Sequence, residues 1–157
     1  MNNLFLMLFS LSILCYGCGS DSEDNTPKKE EEVPVTLYDE SKEAIAYIDY
    51  SDEATIYLFE GKPVAYLKAK DQVYSFDGTL LGWYSEGVLY DQTYHAVGAK
   101  HGIVRGDINT MATYVESIKG LKEVKPIKSI EENDFEHPFL IDSWSKTSLT
   151  EFFTVQK

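Results

Sequence analysis

Cysteine is nearly missing from this chain: two occur in 157 residues, Cys15 and Cys18, both near the N-terminus. The body of the chain therefore has no disulfide framework to hold it together, and its stability must come from a packed core. Positive charge is also scarce, with 14 Lys and Arg against 26 Asp and Glu and a net charge of −12. A duplex nucleic-acid binder needs a basic face to displace counterions, so that class is excluded. No apolar run is long enough for a membrane-spanning helix; the longest, Leu4 to Leu14, has eleven residues where about 20 are needed. Histidine is limited to His95, His101 and His137, which show no metal-ligand spacing. There is no glycine-rich phosphate loop, and Ser143 and Ser145 beside Trp144 form no nucleophile elbow. The expectation is a protein with no enzymatic activity, no metal and no cofactor. What is abundant is aromatic character, 13% with eleven Tyr, which together with the β-branched residues favours strands.

The N-terminal apolar run has the length of the core of a secretory signal. It ends in CYGCGS, where small Gly17 precedes Cys18 and Gly19 and Ser20 follow. This resembles the lipobox of bacterial lipoproteins, which implies cleavage before Cys18 and lipidation of its thiol. Cys15 is the poorer candidate because bulky Leu14 precedes it. Residues 1–17 are read as a signal peptide. Residues 18–35, with GSDSEDNTPKKEEEVP, are polar and charged with two prolines and read as a disordered tether. Acidic residues close behind Cys18 resemble the surface-export signal of lipoproteins in the Bacteroidota; an ordinary solvated linker is the other reading. The implied location is the outer membrane of the bacterial envelope, extending to the cell surface, with the membrane itself as first partner.

Residues 36–106 contain a repeat. LYDESKEAIAY from Leu37, IYLFEGKPVAY from Ile56, VYSFDGTLLGW from Val73 and LYDQTYHAVGA from Leu89 align without gaps. Each opens with an aliphatic residue and a Tyr (Tyr38, Tyr57, Tyr74, Tyr90). Seven residues later stands an aliphatic (Ile45, Val64, Leu81, Val97), then a small residue (Ala46, Ala65, Gly82, Gly98), then an aromatic in three copies (Tyr47, Tyr66, Trp83), with Ala99 in the fourth. Glu60–Gly61 and Asp77–Gly78 are turn sequences, so each unit reads as a β-hairpin. The repeat shortens along the chain in the loops between hairpins, not within them. A lone hairpin is marginal, so the four must pair side by side in a mostly β, closed or nearly closed barrel. The constant small residue marks a crowded place where strands converge.

The aliphatic–Tyr, x-Asp-Gly, aliphatic–Gly–Trp pattern resembles the four-fold beta flower family. That resemblance implies a shallow barrel of four hairpin petals with pseudo-four-fold symmetry, often behind a lipobox and similar to the membrane-binding Tubby C-terminal barrel. It supplies no catalytic residue. Lys42 and Tyr94 stand where the other petals have glycine, so longer or altered turns are expected there. The choline-binding repeat also pairs Gly with Trp and Tyr, but needs several Trp at fixed spacing, and this body has only Trp83 and Trp144.

Residues 107–157 form a tail expected to pack on the barrel. The stretch from Asn109 to Ile118 reads as a short helix capped by Asn109. After it, Ile118, Leu121, Val124, Ile127 and Ile130 recur every third residue, as do Lys119, Lys122, Lys125 and Lys128. A period of three fits an extended polyproline-type segment. The apolar edge is expected to lie on the barrel, and the four lysines to form an outward edge that contacts an anionic surface such as lipid phosphates or acidic polymers. A plain solvated edge is the simpler alternative. SWSKTSLTEFF reads as a closing helix with Leu149, Phe152 and Phe153 on one face, and Pro138, Phe139, Trp144 and Phe153 are expected to cover an open barrel end. The functional expectation is a non-enzymatic binding module with an envelope protein or a glycan as partner. The alternative is a glycan- or peptidoglycan-binding module in which the Tyr and Trp columns serve as stacking platforms; packing is their other role.

Overall fold

A computed structural model describes residues 33–69, 71–131 and 139–154. Four hairpins form in succession: β1 (Val35–Tyr38) with β2 (Ala44–Asp49), β3 (Thr55–Leu58) with β4 (Pro63–Lys68), β5 (Gln72–Tyr74) with β6 (Leu80–Ser85), and β7 (Val88–Asp91) with β8 (His95–Ala99). Every strand is antiparallel to the next, and β1 pairs with β8 through Tyr38 and Ala99, which closes the barrel. The loops between hairpins span residues 50–54, 69–71 and 86–87 and shorten along the chain, as the decreasing repeat predicts.

All four petal turns have the same geometry. The amides of Lys42, Gly61, Gly78 and Tyr94 donate to the carbonyls of Asp39, Leu58, Ser75 and Asp91, three residues back. Each of those four residues then takes positive φ, at 68°, 103°, 91° and 68°. A three-residue loop with a left-handed last residue is a standard hairpin connection. The first and fourth turns are thus neither longer nor altered. Lys42 and Tyr94 adopt the glycine conformation at a steric cost of about 1 kcal/mol each.

One register shift recurs in each petal and explains the repeat's two adjacent apolar columns. Leu37 pairs with Ala46 and Tyr38 with Ala44, skipping Ile45. The other hairpins skip Val64, Leu81 and Val97 in the same way. The aliphatic column is therefore the extra residue of a β-bulge, which allows two consecutive side chains to face one side. Leu37, Ile56, Val73 and Leu89 fill the barrel interior together with Ala46, Ala65, Val64, Leu81 and Val97. The small column is as crowded as expected: a Cβ on Gly82 would lie 1.9 Å from the Tyr90 carbonyl oxygen, and one on Gly98 3.0 Å from Leu149.

The Tyr columns face out and pair between petals: Tyr47 with Tyr57, Tyr66 with Tyr74, Trp83 with Tyr90, and Ala99 with Tyr38 at the closure. After the barrel, a small hairpin of β9 (Val104–Arg105) and β10 (Ile108–Asn109) precedes residues 112–131, which contain neither helix nor strand. The helix expected over 109–118 does not form. Thr113 and Ser117 offer little helix propensity against the petal contacts that hold this stretch extended. β11 (Ile141–Trp144) then pairs parallel to β8. The closing helix is present as α1 (Leu149–Thr154), with Leu149, Phe152 and Phe153 buried in the barrel core. Phe153 covers the core as expected, whereas Trp144 packs on the outer cluster around Tyr90 and Phe139 is exposed. Pro138 lies outside the described residues.

Candidate functional site

The tail is a strap laid across all four petal turns in order. The Tyr114 amide donates to the Lys42 carbonyl at 3.0 Å, Gly120 to Phe59 at 2.6 Å, Glu123 to Gly61 at 2.9 Å, Ser129 to Phe76 at 2.9 Å and Ile141 to Tyr94 at 2.8 Å. Contact is close enough to require glycine. A Cβ on Gly61 would sit 2.0 Å from the Leu121 carbonyl oxygen, and one on Gly120 2.2 Å from that of Glu60. Outer tyrosines of three petals end on carboxylates: Tyr38 donates to Glu116 at 2.9 Å, Tyr66 to Glu131 at 2.9 Å, Tyr90 to Asp142 at 3.0 Å, and Tyr57 to Asp52; in the third petal Tyr74 donates to the Gln72 amide oxygen at 3.5 Å.

The whole repeat, its four-way closure and the strap match one family model, the 4-fold beta flower protein, over residues 35–153. The chain belongs to the 4-fold beta flower family. No curated protein and no solved structure matches it. The flower domain's barrel thus stands as described, and its distinguishing surface is what the strap presents.

The strap's polarity is the reverse of the one expected from its sequence. The lysines point onto the flower. Lys119 bonds Glu116 at 3.0 Å with its ammonium 4.9 Å from the Phe59 ring centre. Lys122 bonds Asp49 at 2.6 Å over Tyr57, and Lys125 bonds Asp52 at 2.6 Å. Lys128 bonds Glu53 at 3.1 Å, 4.3 Å from the Tyr66 ring centre. The ammonium groups of Lys119, Lys122 and Lys128 lie over aromatic rings of the flower, and those of Lys122, Lys125 and Lys128 reach Asp49, Asp52 and Glu53 at the first loop between petals. A flexible cationic side chain can cover aromatic surface and still end on a carboxylate; a branched aliphatic cannot. The apolar row consequently faces away from the flower, and Val115, Ile118, Leu121, Val124, Ile127 and Ile130 are each 94–97% exposed.

The electrostatics follow the geometry. Burial works against the Asp49 carboxylate, but hydrogen bonds from Lys122 and Ser51 outweigh it and its pKa is lowered. Bonds from Lys125 and then Tyr57 lower Asp52, and the bond from Lys128 lowers Glu53. Lys125 is raised, chiefly by its bond to Asp52; Lys122 is raised too, its bond to Asp49 overcoming the effect of burial. Burial, then hydrogen bonding to Asp52 and Glu131 respectively, raises the Tyr57 and Tyr66 phenols.

The remaining sequence candidates lie apart. His95 sits against the Thr93 carbonyl and His101 against Thr113, while His137 and Cys18 lie outside the described residues. Among the described residues no group of His, Cys, Asp or Glu has the arrangement of a metal site, and no helix is long and apolar enough to cross a membrane. Sequence reasoning missed the carboxylates Glu116, Glu131 and Asp142 as caps for the tyrosines, and Arg105, which joins Glu86 to Asp142. The available signal was the acidic cluster of Asp49, Asp52 and Glu53, a natural destination for Lys122, Lys125 and Lys128.

Proposed function

We propose that this chain is a lipoprotein of the bacterial envelope, anchored in the outer membrane through Cys18, whose flower domain is a non-enzymatic binding module. The observation that carries the binding role is the outward apolar row of the strap. Six aliphatic side chains that the fold does not use as core are held out in single file by lysines turned inward. The reading of Cys18 draws on the eleven-residue apolar run and the small Gly17 before it. The glycan-platform alternative is weaker, because Tyr57, Tyr66 and Tyr74 are at most 2% exposed and offer no ring face.

Fractionation of cells tests the anchor. Cys18→Ser should move the chain out of the membrane fraction, while Cys15→Ser stays, since a run this short cannot span and multiple acyl chains hold far better than one. Retention of Cys18→Ser with loss of Cys15→Ser would move the anchor to the other cysteine, and retention of both would end the lipid-anchor reading.

A further inference from the structure

We propose that the strap's outward row is a lipid-contacting edge that dips into the neutral interfacial region of the membrane on which the chain is anchored; the inference rests on lipidation at Cys18. Contiguous exposed apolar surface is uncommon on a monomer and marks a contact site. Here the exposure is systematic: every third residue from Val115 to Ile130 is apolar and at least 94% exposed. At about 3 Å per residue in an extended segment, the row runs for roughly 45 Å of contour. Aliphatic side chains on a backbone held from beneath are suited to insertion of about 5–10 Å at the headgroup–acyl boundary. The backbone itself remains on the flower through the amides of Gly120, Glu123 and Ser129.

Charge selects the kind of surface. The lysines beside the row are bound to Glu116, Asp49, Asp52 and Glu53, so they present no free cationic stripe. A chain of net charge −12 is repelled by anionic lipid. The matching surface is therefore zwitterionic and the contact apolar. Reach is limited: the fifteen residues from Cys18 to Val33 can separate the anchor from the flower by at most about 50 Å. An anchor that close raises the effective concentration of the bilayer at the strap, so an insertion too weak to hold a free protein is occupied in an anchored one.

The test uses the full lipidated chain reconstituted in phosphatidylcholine vesicles. Single cysteines carrying an environment-sensitive fluorophore are placed at Ile118→Cys, Val124→Cys and Ile127→Cys, with Lys100→Cys as control. Co-flotation with vesicles reports the anchor independently of the probes. The expected result is a blue-shifted emission at the three strap positions that lipids carrying doxyl groups on their acyl chains quench, with neither effect at Lys100. Chains that float while the strap probes stay water-like and unquenched overturn the inference and leave the anchor standing. A blue shift that acyl-chain quenchers do not reach also overturns it, because a second copy or another protein then covers the row. Failure to float sinks the anchor and the inference together.

Discussion

The petals and the strap are both periodic, and they use their periods in opposite ways. In a petal, the aliphatic residues turn in and the polar ends turn out, because a closed barrel has a dry interior that only apolar and small side chains fill. The strap has no interior of its own. It lies on a wall already paved with Tyr47, Tyr57 and Tyr66, whose hydroxyls and neighbouring loop carboxylates demand cationic, flexible partners. Lysine satisfies ring face and carboxylate together, so lysine goes in and isoleucine goes out. A period identifies which residues share an edge, while the surface beneath decides which edge faces it.

The comparison breaks most severely at the small column. Gly82→Val places side-chain atoms against the Tyr90 carbonyl inside the barrel, and should cost about 3 kcal/mol or more in urea unfolding. Gly98→Val meets the movable Leu149 side chain instead and should cost less. At the strap, Gly61→Ala combines positive φ with a clash against Leu121; about 2 kcal/mol is expected. The loss should include faster amide exchange at Gly120 and Glu123, and equal exchange in variant and wild type would show that the strap does not depend on that turn.

The two faces of the strap are separated by a pair of neighbours. Lys122→Met leaves buried Asp49 without its ammonium, an expected loss of about 1–2 kcal/mol. Leu121→Ser removes a side chain that is 95% exposed and should change stability by less than about 0.5 kcal/mol. The opposite ordering in thermal denaturation would restore the inward apolar edge.

Acid provides the gentlest test. Asp49, Asp52 and Glu53 have lowered pKa values in the fold. Their contribution is present above the unfolded carboxylate pKa of about 4 and disappears as pH falls through the folded values. The Lys122–Asp49 and Lys125–Asp52 pairs contribute at most about 1 kcal/mol each, because their lysines are partly exposed. Stability should decline from about pH 5 downward, and the decline should be shallower in Lys122→Met/Lys125→Met; identical slopes would mean the lysines do not set it. The raised Lys122 and Lys125 act at the other extreme, contributing fully below about pH 10 and losing that contribution as pH rises through their folded values.

From the chain alone one can read four hairpins, their closure into a flower, the crowded small column and the apolar face of the closing helix, because each rests on local chemistry. Alternation, turn residues and the missing Cβ at Gly82 act within a few residues of themselves. Lys42 and Tyr94 were misleading only because neighbouring strands force a left-handed turn that the residue itself disfavours. The bulge that puts Ile45 and Ala46 on one side is also a matter of pairing, invisible until Leu37 and Tyr38 choose their partners. The orientation of the strap, the capping of the tyrosines by Glu116, Glu131 and Asp142, and the outward apolar row arise from contacts 50 to 80 residues apart in sequence. Such contacts are decided by which surfaces the barrel leaves free once it has closed.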